Sequence, residues 1–189
     1  MCNAGIILTK NRILAGVRRM LEGIEEELVR RAYFREEDSL RPALEPPPKI
    51  SKGENYGGLP YLVLDYPRQF DSLNILAVRT MFWWGHEFSS TLHLAGRYKE
   101  DMQPSIEASY ALLARKGYFI GVSEDPWQHH FDEENYLPVS SFDAGEFSER
   151  CRQFDHLKIA ARWTLRDANF IAEDLVESWE TLMGIMNIQ

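Results

Sequence analysis

The stretch ILAVRTMFWWGHEFSSTLHL, Ile75 to Leu94, decides the fold. Two runs, Ile75–Trp84 and Phe88–Leu94, are dense in aliphatic, aromatic and β-branched residues, the composition of strands, and Gly85 marks a turn between them. Leu76, Val78, Phe82 and Trp84 stand at even positions in the first run, as do Phe88, Leu92 and Leu94 in the second. Successive strand side chains point to opposite faces, so the loop length decides whether these two apolar sets meet. An odd-numbered loop puts them on one face; a two-residue loop separates them and exposes one. The hydrophobic pattern selects the odd loop. The same register gathers Arg79, Ser89, Thr91 and His93 on the opposite face, with Glu87 and Arg97 at its ends.

Working outward, Tyr61–Tyr66 reads as the preceding strand, ended by Pro67, with Asp71-Ser72 and Asn74 in the loop that follows. If Leu62 and Leu64 share the core face, Asp65 joins the polar set. Tyr118–Val122 reads as a short fourth strand. Residues 36–58, with Pro42, Pro46-Pro47-Pro48 and Gly53, Gly57 and Gly58, read as a stiff Pro/Gly-rich connector. Residues 123–142 read as a long irregular loop, and Trp127, Phe131 and Tyr136 are its expected aromatic anchors.

Helical periodicity flanks this centre. Ile13, Val17, Met20, Leu21, Ile24 and Leu28 recur every three or four residues within 9–34, with Thr9 or Asn11 as the cap. A second helix is expected from Pro104, in its first turn, to Lys116. From 144 to 187, Phe147, Cys151, Phe154, Leu157, Ala161, Leu165 and later apolar residues keep the helical period. One rod of that length would be about 65 Å long against a chain about 40 Å across, so a break is expected near Asp167–Asn169, the alternative being a protruding rod that dimerises. The fold class is α+β: an antiparallel β-meander of about four strands packed against amphipathic N- and C-terminal helices, in a single domain over 1–189.

The composition narrows the function classes. Of 189 residues, 44% are hydrophobic and 26% charged, ordinary proportions for a chain that builds a core. A net charge of −8 argues against nucleic acid and anionic membrane as partners. No apolar run approaches the ~20 residues needed to span a bilayer. Lys10 and Arg12 interrupt Ile6-Ile7-Leu8 before it forms a secretory signal. Two cysteines, Cys2 and Cys151, make no disulfide framework, and the cytoplasm is the expected location.

The polar face of the meander is the first candidate site. Arg79 suits bidentate binding of a carboxylate or phosphate, His93 suits proton exchange near neutral pH, and Asp65 suits orienting the imidazole. Trp83, Glu87, Thr91 and Arg97 are candidate ligand-binding residues around them. The plainer reading is a half-covered sheet showing polar residues to water. His129 and His130 are candidate metal ligands, although neither HExxH nor CxxC spacing is present and no cofactor is implied. His156, on the C-terminal helical segment beside Asp155, reads as a surface residue or a marker of the break. Of the 23 aromatic residues, 15 lie between Tyr56 and Tyr136, which locates the core of the sheet and any aromatic binding surface there. The functional expectation is a binding or interaction domain that self-associates through its amphipathic helices or its aromatic sheet. The alternative is a small-molecule-binding protein or enzyme using Asp65, Arg79 and His93.

Overall fold

The computed structural model describes residues 4–35, 40–165 and 170–186. Among these residues seven strands form one antiparallel sheet: β1 (Lys49–Tyr56), β2 (Leu59–Phe70), β3 (Ile75–Trp83), β4 (Glu87–Ala95), β5 (Phe119–Gly121), β6 (Tyr136–Pro138) and β7 (His156–Thr164). Their spatial order is β1-β2-β3-β4-β7-β5-β6. The helices are α1 (Ala4–Tyr33), α2 (Arg41–Leu44), α3 (Arg97–Ala108), α4 (Tyr110–Arg115), α5 (Ala144–Arg152) and α6 (Ile171–Gly184).

The central hairpin has the register its pattern requires. Leu76 pairs with Leu94, Val78 with Leu92 and Phe82 with Phe88, around the three residues Trp84-Gly85-His86. Gly85 has φ +75°, a left-handed conformation that glycine adopts without a Cβ clash. Leu62 pairs with Phe82 and Leu64 with Thr80, which puts both leucines on the same apolar face. Leu157, Ile159 and Ala161 of β7 extend that face beyond β4. Leu14, Leu21, Ile24 and Leu28 of α1 and Leu175, Trp179, Leu182 and Met183 of α6 are buried on it. The Trp179 indole stacks on Tyr66 and donates a 2.6 Å hydrogen bond to the Tyr66 carbonyl.

The sheet has seven strands rather than about four, and the largest departure is β7. The 144–187 region is α5, then β7, then α6, because the spacing of four from Leu157 to Ala161 fits a helix and a strand equally. The environment decides: β7 pairs with β4 along its length and satisfies an edge that would otherwise lack partners. Asp167–Asn169, the expected break, lies outside the described residues. The 36–58 connector contains α2 and β1, and β1 pairs with β2 from Lys49–Asp65 to Tyr56–Leu59. β2 runs on past Pro67 to Phe70 by shifting register between Asp65 and Arg68, so the proline sits at an irregularity of the ladder. The second helix is two, α3 and α4, and Pro104 lies inside α3 rather than in its first turn. α1 is already helical at Ala4, so neither Thr9 nor Asn11 caps it. The 123–142 loop ends in β6 and a 3-10 turn, Val139–Ser141.

Candidate functional site

The centre of the meander's polar face is shielded from water. The 123–135 segment lies across it, and Asp65, Ser89, Thr91 and His93 are all buried. Phe131 and Tyr136 anchor the cover by stacking on each other and packing on Phe119 and Ala160, whereas Trp127 stays half exposed with its ring edge-on to His93. The strand pattern alone could not show this. Alternation says which face is polar, and only the path of a loop says whether that face is covered.

Arg79 is the hub of the covered face. It sits opposite Asp65 in the β2–β3 register, donating from Nε to Oδ1 at 2.8 Å and from Nη2 to Oδ2 at 3.0 Å. This fork-to-carboxylate pairing leaves one guanidinium edge, and Nη1 donates to Nε2 of His129 at 3.0 Å. Arginine only donates, so Nε2 of His129 is the accepting nitrogen and the ring is neutral. Burial, then the charge of Arg79, holds the His129 pKa well below its usual range. Arg79 and Asp65 therefore fix a loop to a sheet, with the carboxylate engaged by the guanidinium rather than by His93.

His93 and Lys158 stand directly opposite each other across β4 and β7 on this face. His93 is 5% exposed, and its Nε2 has no hydrogen-bond partner among the described residues. Burial, with Lys158, His156 and Arg79 nearby, lowers its pKa to about 3. Lys158 is 1% exposed, and burial lowers its pKa to about 8. Its Nζ donates to the Gln128 carbonyl at 2.6 Å and lies 4.8 Å from the centre of the Tyr136 ring. Gly121 makes room for this chain, since a Cβ there would lie 3.1 Å from both Cβ and Cε of Lys158. An amine that titrates near neutrality, beside a neutral imidazole, can hold an anion or exchange a proton.

Tyr56 pins the loop from the other side. Its Oη accepts from the amides of His129 at 2.6 Å and His130 at 3.0 Å, and lies 3.0 Å from Nδ1 of His130. Two accepted amides occupy both lone pairs, so the single phenol proton goes to Nδ1. Nε2 of His130 faces Asp132 at 3.9 Å and Glu134 at 4.0 Å. His130, Asp132 and Glu134 bring one ligand atom each within 4.8 Å of one another. Of the two candidate metal-ligating histidines, His129 accepts from Arg79, while His130 is bonded to Tyr56 and turns its Nε2 towards the two carboxylates.

The remaining candidates are spread over the sheet. Thr91 is buried beside Tyr136, whose hydroxyl pKa burial raises. Trp83 stacks on His86 with ring centres 3.5 Å apart and donates from Nε1 to the Tyr56 carbonyl at 3.0 Å, so it closes the hairpin end. Glu87, its pKa raised by burial, pairs with Arg162 at 3.4 Å. Arg97 opens α3 on the surface and donates to the Tyr98 hydroxyl at 3.0 Å. Lys158, Tyr56, Tyr136 and His156 were missing from the sequence-derived set. Alternation of His156, Lys158 and Arg162 with Leu157, Ile159 and Ala161 is the signal that finds two of them. His156 is half-buried in β7, not a helical surface residue, and burial lowers its pKa.

A second candidate surface lies on the helices. The apolar stripe that buries Leu14, Leu21 and Leu28 continues seven residues earlier to Ile7, which is 45% exposed, and neighbouring Leu8 is 69% exposed. Beside α1 run two grooves that share Met20. One, of about 480 Å³, is walled by Ile13, Val17, Phe82, Trp84 and Phe88; the other, of about 610 Å³, lies between α1 and α6. From Ala4 to Leu21, α1 carries Lys10, Arg12, Arg18 and Arg19 and no carboxylate. α6 carries Glu173, Asp174, Glu177 and Glu180 and no basic residue. No described helix is long and apolar enough to cross a membrane. Comparison of the chain with models of protein families, with curated proteins and with solved structures found no match.

Proposed function

We propose that the protein is an interaction domain that self-associates, the N-terminal half of α1 from one copy lying in the α1–α6 trench of another. The observation that carries this reading is the continuation of the buried stripe of α1 to an exposed Ile7, on a helix flanked by a trench of two grooves that meet at Met20. One groove is apolar and walled by Ile13, Val17, Phe82, Trp84 and Phe88; the other lies between α1 and α6 and is lined by Arg19, Glu173, Glu177 and Glu180. Charge supports a second copy as the occupant. Lys10, Arg18, Glu177 and Glu180 are paired within the chain. Arg12 and Arg19 on the first half of α1 and Glu173 and Asp174 on α6 make no ion pair among the described residues, and these two sets are complementary. A two-fold arrangement uses that complementarity twice, since each copy gives its α1 and offers its α6. Self-association through the aromatic sheet has less support, because the 123–135 segment covers the outer face of the meander.

A stable dimer of this kind buries roughly 800 Å² on each partner. Sedimentation equilibrium of the full chain tests the reading. The expected result is twice the 22.0 kDa chain mass at low ionic strength, with dissociation favoured by added salt because exposed ion pairs are screened. Ile7→Glu combined with Leu8→Glu should give the monomer. A wild-type protein that stays monomeric at low salt, or a dimer indifferent to both changes, refutes it.

A further inference from the structure

We infer that Lys158 and His93 form a binding site for a small monovalent carboxylate, set in the covered face beneath Trp127. The case begins with charge. Asp65 and Arg79 neutralise each other as a bidentate pair, and His93 and His129 are held neutral. Within the buried cluster the Lys158 ammonium is the charge left without a buried counter-charge. The carboxylate that acts on it, Asp125, is exposed on the covering loop, where it accepts from the Trp127 amide and the Gln128 side chain. A fully buried ammonium has three protons to place, and the Gln128 carbonyl takes one.

The second observation is independent of the lysine. His93 lies directly across the strand pair from Lys158 and is more than nine-tenths buried, yet its Nε2 has no partner among the described residues. A buried polar atom left unpaired costs free energy, and a ligand that accepts from it removes that cost. Nothing described ties the ring to one tautomer, so Nε2 can carry the proton and donate. One carboxylate oxygen accepts from Lys158 Nζ and the other from His93 Nε2, and the single negative charge matches the single positive one. A divalent anion would leave a net negative charge in the same enclosure. Access is from the side of Trp127, which is 50% exposed and covers the His93 ring edge-on.

Thermal unfolding of the full chain, in a low-salt zwitterionic buffer titrated with formate, tests the assignment. The expected result is a melting temperature that rises and follows single-site saturation, with no such rise in Lys158→Met. In His93→Leu the affinity should fall about tenfold or more, the loss expected for a hydrogen bond to a charged group. A further readout needs no variant. Wild-type affinity should hold up to about pH 8, then weaken about tenfold per pH unit as the ammonium loses its proton. A formate response of equal size in wild type and Lys158→Met, a sulfate response as large as that to formate, or no response in wild type overturns the site.

Discussion

Lys158→Met removes a buried ammonium while keeping an unbranched side chain of similar length, and the structure sets both the sign and the size of the consequence. Burial brings the amine from 10.5 in the unfolded chain to about 8 in the fold. Between those two values the unfolded state holds a proton that the folded state has released. Stability therefore rises with pH across that window. A gap of about 2.5 pH units at about 1.4 kcal/mol each gives roughly 3 kcal/mol, with no reduction for solvent because the side chain is 1% exposed. The variant has no amine to titrate at this position. The wild-type-minus-variant difference in unfolding free energy should be flat up to about pH 8 and climb by roughly 3 kcal/mol by pH 10.5. Urea unfolding of both proteins at steps through this window measures it, and groups remote from the site titrate alike in both and cancel. A difference that stays flat means that the ammonium reaches water in the fold, and the argument from the covered face fails with it.

Three other changes test the same face. Arg79→Ala strips Asp65 of its partner and His129 of its donor, and should cost roughly 3–5 kcal/mol in urea unfolding; Arg79→Lys should recover only part, since an ammonium cannot span both carboxylate oxygens. Acid should destabilise the fold below about pH 6.5, where the unfolded chain protonates histidines that the fold holds neutral. Each such histidine adds about 1.4 kcal/mol per pH unit, and His93→Gln should lower the slope of stability against pH by one proton's worth. Tyr56→Phe leaves two loop amides and His130 without their common partner, so hydrogen exchange in 123–135 should speed up by the equivalent of about 1–3 kcal/mol while the α1–β2–α6 core keeps its protection.

The hairpin was legible because its information is local. Even-numbered leucines and phenylalanines on both sides of Gly85 leave one workable register, and that register also brings Arg79, Thr91 and His93 to one face. Asp65 followed from Leu62 and Leu64 by the same alternation. β7 was not legible, because residues four apart share a face in a helix and in a strand alike. The difference lies in the β4 edge, which is distant in sequence. With β7 misread, Lys158 could not be placed beside His93. The cover was hidden for a related reason. Nothing in Trp127 to Tyr136 states which surface the loop crosses, and its bonds run to Tyr56, Arg79 and Lys158, each from 30 to 74 residues away.

Self-association through the α1–α6 trench is tested most directly by a complementary pair of charge-reversed chains. Lys10, Arg18, Glu177 and Glu180 are paired within the chain, so one chain carries Arg12→Glu and Arg19→Glu, which makes the unpaired charges of both its surfaces acidic. The other carries Glu173→Lys and Asp174→Lys, which makes them basic on both. Sedimentation equilibrium should show each alone as a monomer at low ionic strength and an equimolar mixture as a heterodimer, because both of its contacts then join opposite charges. Two proteins that stay dimeric alone, or a mixture that stays monomeric, would contradict the account.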